Sequence, residues 1–373
     1  MRSDIDYERL YEDVIPSVVS LYVGREAPGT GSGSGFVYDD GHVVTNAHVV
    51  GRSLDVELRF SDGSWRTGEV VGTDHYTDLA VVAVEDLPNF AKPLPVAESN
   101  PHPGRPVAAL GNPLGLDGSI TAGIVSGANR SMGTPGGFAI PDVVQTDAPI
   151  NPGNSGGPLV AVVNGADSGG HAPDHPRYEV VGVNRAKQGD NIGFAVSPEI
   201  VNRVVPDLLD GGRFRHSYLR TRTLDVTPSV AEANELDEPR GVLVVDVNVG
   251  PTTGDSLRGS DYTRTVGGRE IPVGGDVIVG MNGTELRSHE ELMRYLITRT
   301  RPGEPVELDV VRDGAEVRLS IVLDERPDPE SRFRGRSGRG GRQRRGPGRG
   351  GRGRGDDDTG PDGDDGGSRI PIR

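Results

Sequence analysis

Three short stretches of this 373-residue chain hold side chains able to do covalent chemistry together. Ser155 lies among prolines and glycines in PINPGNSGGPL, residues 149–159. His48 lies in VVTNAHVV, at the end of an apolar strand, and Asp78 opens another in HYTDLAVVAV. A serine hydroxyl is a poor nucleophile until a base takes its proton and a third group orients that base. Each residue alone has an ordinary reading: glycine and proline mark turns, a histidine in an apolar setting is a satisfied structural residue, and an aspartate before a strand opens it. The other seven histidines (His42, His75, His102, His171, His175, His216 and His289) sit in polar, turn-like or charged surroundings, so His48 is the candidate base. Gly153 permits backbone angles closed to other residues, letting its N–H and that of Ser155 converge on a developing oxyanion. Gly156 and Gly157 leave room for a substrate, and Pro158 starts the following strand rigidly.

The elements that must position these residues are mostly strands. Short Val-rich runs separated by Gly-containing turns fill the first two hundred residues: SVVSLYV, GSGFVY, GHVVTNAHVV, DVELRF, LAVVAV, PVAAL and EVVGVN. Such spacing with few helical stretches points to an all-β sandwich or barrel pair. One helix is expected from Pro198 to about Leu209, with Ser197 as its N-cap and Pro206 as a kink, and Gly211-Gly212 ends the unit. A second, small α+β unit spans about 218–326. Its strands are GVLVVDV, DVIVGMN, VELDVV and VRLSIVL, and its helix starts at SHEELMRYL with a Ser288/Glu291 capping box. Beyond Arg326 an Arg/Gly tract and then GDDDTGPDGDDGG have no apolar face and no periodicity, so residues 327–373 read as a disordered tail.

Composition narrows the setting. Cys is absent, which excludes disulfides, thiolate metal sites and a cysteine nucleophile. Asp+Glu outnumber Lys+Arg by 55 to 40, and only Lys92 and Lys187 are lysines. An acidic surface with arginine in place of lysine suits a salt-rich, halophilic milieu, where self-repulsion is screened; GC-rich coding gives the same arginine bias. No apolar run reaches transmembrane length, and the acidic start MRSDIDYERLYEDVIPSVVSLYV lacks a basic, apolar export signal, so the expected location is the cytoplasm.

The order His…Asp…Ser is that of chymotrypsin-like enzymes, and TNAHVV, TDLAVV and GNSGGPL resemble the three catalytic motifs of the HtrA/DegP family of serine proteases. The pairing with GVLVVDV…GGDVIVGMNG, similar to a PDZ domain, fits the same family, and the likeness covers about residues 10–326. It implies an all-β chymotrypsin-like double β-barrel protease domain over 1–212, a small α+β PDZ domain over 218–326, and the tail. It also implies ATP-independent cleavage of unfolded or damaged polypeptides with no metal or cofactor, and assembly into trimers or larger forms; Tyr7 and Tyr11 would supply an apolar interface or cover the barrel end. Carried over by position, His48 is the general base, Asp78 orients it and Ser155 forms the acyl-enzyme. Gly153 and Ser155 make the oxyanion hole, with the Asn154 amide beside them. QGDNIGFAVS resembles the specificity loop. Ile192, Gly193 and Phe194, with Ile150, would line a pocket for small or medium aliphatic side chains, although ordinary core packing accounts equally for Ile192 and Phe194.

In the PDZ-like unit, Gly241, Val242, Leu243 and Val244 match the loop that receives a peptide C-terminal carboxylate, the peptide adding as a strand alongside Val242–Val245 against the helix of Leu292, Tyr295 and Leu296. A packed core strand would use the same residues. The insertion SLRGSDYTRTVGGREIPV is expected to alter that groove. After Ser155 the polar insertion NGADSGGHAPDHPRYE places His171 and His175 near Asp167 and Asp174, but no metal-ligand spacing is met. GNSGG also fits the G-x-S-x-G elbow of α/β-hydrolases, which need alternating helices and a histidine last in order; neither is present. Two readings from other classes stay open: a catalytically silent peptide-binding holdase, and nucleic-acid binding through the ten arginines of 332–354, which offer phosphate attraction but little stacking.

Overall fold

The structure, a computed structural model, describes residues 5–24, 32–112, 118–133, 139–163, 177–187, 192–248 and 257–328. The insertion around His171 and His175, and the Arg/Gly tail beyond residue 328, lie outside them. Among the described residues no helix is long and apolar enough to cross a membrane, and no cluster of His, Asp or Glu is placed to hold a metal ion.

Helix α1 (Tyr7–Val14) leads into two six-stranded barrels. The first comprises β1 (Val18–Tyr22), β2 (Ser32–Asp39), β3 (His42–Thr45), β4 (Asp55–Arg59), β5 (Trp65–Asp74) and β6 (Leu79–Val84), closed in the order β1-β2-β3-β6-β5-β4. A one-turn helix, α2 (Ala47–Val50), follows β3. The second barrel comprises β7 (Pro106–Gly111), β8 (Ser119–Gly133), β9 (Ala139–Thr146), β10 (Pro158–Val163), β11 (Arg177–Lys187) and β12 (Gly193–Val196), closed as β10-β11-β12-β9-β8-β7. Leu10 and Val14 of α1 bury against Ala108, Leu110 and Val160 of this second barrel, and Tyr7 and Tyr11 pack partly on the same cluster.

The unbroken apolar run of β6 follows from its place. Ala80, Val82 and Val84 fill the first barrel, while Leu79 and Val81 face outward and are covered by helix α3 (Pro198–Gly211) through Ile200, Val204 and Leu208. Both faces of the strand are therefore dry. Each large aliphatic side chain buried this way contributes about 1.5–3 kcal/mol. Ser197 Oγ accepts from Ile200 N at 3.2 Å to start α3, and Gly212, left-handed at φ +71°, ends it.

The second unit runs β13 (Ser217–Tyr218), β14 (Thr221–Asp225), α4 (Pro228–Ala233), β15 (Val242–Val247), β16 (Tyr262–Val266), β17 (Arg269–Val273), β18 (Val277–Met281), β19 (Thr284–Glu285), α5 (His289–Arg299), β20 (Pro305–Arg312), β21 (Ala315–Val322) and β22 (Asp324–Glu325). Its main sheet has the order β14-β15-β18-β20-β21. The sheet corrects the expected peptide site. Val242, Leu243 and Val244 lie on β15, bonded to β14 on one side and β18 on the other, so no edge is free there for an added strand. The edge strand on the β15 side is β14. The long insertion is also relocated: β16 and β17 form a hairpin packed with α4 and Leu243, whereas Val242 and Val244 face α5 on the other side of the sheet. The hairpin therefore does not touch the α5 side, as the period of two along a strand requires. At α5 the Ser288 hydroxyl accepts from Glu291 N (3.3 Å), but the Glu291 carboxylate reaches past it to Arg287 N (2.7 Å).

Helix α5 also rests on the barrels. Ile297 is buried in the same cluster as α3 and Phe214. Arg294 reaches Asp142 (3.0 Å), whose side chain is wholly buried, and Glu199. Burial pushes the Asp142 carboxyl up, and the bonds from Ser197 and Asn100 with the Arg294 charge only partly offset it, so the group stays above the usual carboxylate range.

Candidate active site

The Ser155 loop is held from both barrels. A turn over Asn151–Asn154 is closed by Asn154 N donating to Asn151 O at 3.0 Å, with Gly153 third in the turn at φ +102°. That sign of φ is what a type II turn needs at its third residue. Gly156 follows at φ +85°, where a Cβ would strike Ser34 O and Thr45 Oγ1; only glycine fits. Strand β11 grips the loop twice, as Gly156 N donates to Asn184 O (2.7 Å) and Asn184 N to Gly157 O (2.8 Å). From the first barrel Ser34 N donates to Ser155 O (2.7 Å) and Ser34 Oγ to Gly153 O (2.6 Å).

The expectation that Asn154 offers its amide beside the oxyanion is corrected, because that N–H closes the turn and the side-chain Oδ1 accepts from Ser119 Oγ at 3.0 Å. Among the described residues the amides of Gly153 and Ser155 donate to no backbone carbonyl.

His48 stands on α2, not on a strand: the chain leaves β3 at Thr45 and turns through Asn46. Asp78 adopts φ +60°, a left-handed conformation that aspartate tolerates better than most residues. That bend aims its carboxylate at α2. Asp78 Oδ1 accepts from His48 N at 2.9 Å, and Oδ2 from His48 Nδ1 at 2.7 Å. The Asp78 carbonyl accepts from Ala47 N (3.1 Å) and Asn46 Nδ2 (3.0 Å), fixing the two segments together. The aspartate is buried, and the imidazole is about half exposed at 47%. With Nδ1 donating to the carboxylate, Nε2 is the nitrogen left to accept a proton.

The third partner was not legible from spacing. Arg185 Nε donates to Asp78 Oδ2 at 2.6 Å, and the Arg185 carbonyl accepts from Ser155 Oγ at 2.8 Å. The Ser155 hydroxyl thus bonds to β11 and not to His48. Ser34, Asn184 and Arg185 are the positioning residues that sequence reasoning missed. An arginine directly after the run EVVGVN was the one local signal.

Behind Asp78 lies a buried pair. His216 Nε2 bonds both Asp74 carboxylate oxygens at 2.9 Å, although its sequence surroundings looked polar. Thr77 Oγ1 donates to Asp74 at 2.5 Å. Burial alone raises the Asp74 carboxyl, but the charge and hydrogen bond of His216, with Thr77 and Tyr76, outweigh it and hold the group below the usual carboxylate range. Asp74 thereby anchors the segment that carries Asp78.

Of the expected pocket residues, Ile150 and Gly193 adjoin: a Cβ on Gly193 would come 2.9 Å from Ile150 Cδ1. Ile192 is partly exposed. Phe194 packs among Met132, Ile140 and Val143, which is the core-packing alternative. A cavity of about 490 Å³ lies between β14, α5 and the second barrel, lined by Thr221, Thr223, Leu292 and Met293 together with Ser131 and Pro141 of the barrel.

Residues 33–166 match the model of a trypsin-like peptidase domain and residues 219–323 that of a PDZ domain. The chain is similar to Protease Do-like 1, chloroplastic, of Arabidopsis thaliana, 33% identical over 338 residues, covering 86% of this chain and 72% of that protein. It is similar to a probable periplasmic serine endoprotease DegP-like of Bartonella henselae at 32% identity, covering 87% of this chain but 59% of the relative. Among solved structures, the HtrA-type protease AlgW with tripeptide superposes with a TM-score of 0.68 at 28% identity, covering 87% of this chain and 99% of that one.

Proposed function

Because the chain belongs to the HtrA/DegP family of serine proteases, we propose that it is an ATP-independent endopeptidase that cleaves unfolded or damaged polypeptides, with His48, Asp78 and Ser155 as its catalytic residues. The 2.7 Å bond between His48 Nδ1 and Asp78 Oδ2 carries this reading, since it fixes the tautomer a general base needs.

In the reaction the Ser155 hydroxyl turns from the Arg185 carbonyl to His48 Nε2 and gives up its proton as Oγ attacks the substrate carbonyl. The N–H groups of Gly153 and Ser155 receive the oxyanion. Asp78 stabilises the imidazolium, which then protonates the leaving amine. Water, deprotonated by the same His48, releases the acyl group.

The PDZ domain would bind peptide C-termini. A peptide added to the free edge of β14 would lie in the cavity against α5, with Leu292 and Met293 under its side chains. Small or medium aliphatic residues before the cleaved bond, and trimeric assembly, are carried over from the family likeness; cleavage-site mapping and light scattering test them. Incubating unfolded casein with the protein and with Ser155→Ala tests the enzyme reading: fragments are expected only from the first, and equal digestion by both contradicts it. Intact casein that both proteins keep soluble is the outcome that favours a holdase.

A further inference from the structure

Arg185 touches both ends of the candidate catalytic trio. The pairing of β11 with β12 runs Asn184↔Ala195 and then Ala186↔Phe194. Arg185 is the extra residue of a bulge. A bulge residue has no cross-strand partner, so its carbonyl is free to accept elsewhere and its side chain is re-aimed. The carbonyl takes the Ser155 hydroxyl at 2.8 Å. The guanidinium turns to the Asp78 Oδ2 atom, 2.6 Å away, which also receives His48 Nδ1 at 2.7 Å. Nη1 lies 3.6 Å from Met132 Sδ.

One carboxylate oxygen therefore serves a permanent cation and the imidazole that must become one. The Arg185 side chain is 15% exposed and that of Asp78 6%, so water screens this ion pair poorly. When His48 takes the serine proton, the new imidazolium finds its counter-ion already paired, with a guanidinium bonded to the same oxygen. Like charges separated by one carboxylate oppose that step. The parked hydroxyl opposes it too, because Oγ must leave one acceptor to reach another.

We propose that Arg185 is a positioning residue that restrains the nucleophile through its side chain: the guanidinium on Asp78 opposes transfer of the Ser155 proton to His48. The proposal rests on the serine-protease reading above and adds regulation of the same site. Full reactivity then requires the guanidinium to leave Asp78 without the aspartate losing its hold on His48.

The test is the second-order rate at which an alkyl fluorophosphonate labels Ser155 in the full chain, compared among wild type, Arg185→Gln, Arg185→Lys and Arg185→Thr, with thermal melting alongside. Glutamine keeps donors near Asp78 without the charge, and threonine guards against misfolding of that variant. Labelling is expected to quicken on the order of tenfold in Arg185→Gln and Arg185→Thr, and to stay near wild type in Arg185→Lys. A purely structural arginine would instead lower both melting temperature and labelling in all three. Labelling at or below the wild-type rate in folded neutral variants overturns the restraint while leaving the nucleophile assignment intact. No labelling of Ser155 in any of the four proteins overturns the nucleophile assignment, and the restraint with it.

Discussion

Ser34 Oγ donates to the Gly153 carbonyl at 2.6 Å, so a strand of one barrel holds the loop that carries Ser155 of the other. The same hydroxyl accepts from Asn112 N at 2.8 Å. One small side chain thus joins β2, the end of β7 and the Ser155 loop. Removing it leaves a buried N–H and a carbonyl short of a partner, each costing about 1–3 kcal/mol. In Ser34→Ala we expect a loss of at least about 2 kcal/mol in urea unfolding, and slower fluorophosphonate labelling even where the variant is fully folded. Unchanged labelling with lowered stability would show that the Gly153 peptide keeps its orientation without Ser34.

Gly156→Ala should be more damaging than its size suggests. The residue sits at φ +85°, and the added methyl would strike Ser34 O and Thr45 Oγ1. Strain of about 1–3 kcal/mol for the conformation adds to the overlap. Lower stability and loss of Ser155 labelling are expected together, read by melting and by mass.

These two positions show what a sequence does and does not disclose. Ser155, His48 and Asp78 could be picked out because each sits in a local pattern of glycines or apolar residues that is informative within about ten positions. Ser34 and Arg185 could not, because their partners lie 119 and 107 residues away; nothing near Ser34 marks it, and Arg185 is marked only by following EVVGVN. The GVLV stretch misled for a related reason: a buried strand looks the same at an edge and in the middle of a sheet, and only the sheet order separates β15 from β14. The helical turn under His48 was hidden by its β-branched neighbours, whose burial on α2 mimics a strand end. His216 seemed polar because its partner Asp74 is 142 residues away.

The Asp74–His216 pair gives a pH signature. The folded Asp74 carboxyl is held below its ordinary value. Its contribution is therefore present above the unfolded carboxylate range and is lost as pH falls through the depressed folded value. Asp74→Asn should unfold about 3 kcal/mol more easily near neutrality, with the gap to wild type closing on acidification. Melting curves from neutral to strongly acidic pH read this, and a gap constant with pH would contradict it.

Arg294 joins the PDZ domain to the barrels through a wholly buried carboxylate, Asp142. Arg294→Met leaves that charge without its cation, at a cost of about 3 kcal/mol. Faster limited proteolysis between the two domains is expected, and restoration by Asp142→Asn in the same chain. Failure of the double variant to recover would place the effect elsewhere on α5.

Peptide binding separates the two strands directly. A fluorescent peptide with a free C-terminal carboxylate should bind the full chain, and Met293→Glu, on the cavity wall between β14 and α5, should weaken it by about tenfold or more. Amidation of the peptide terminus should do the same. Binding indifferent to both changes would exclude this groove.

The most direct measurement is mass spectrometry of the peptide containing Ser155 after exposure to a fluorophosphonate, in wild type and in His48→Ala. We expect one phosphonyl adduct on Ser155 in the wild type, with a labelling rate lower by roughly a thousandfold in His48→Ala. No adduct at Ser155, or an equal rate without the imidazole, would contradict a serine activated by His48.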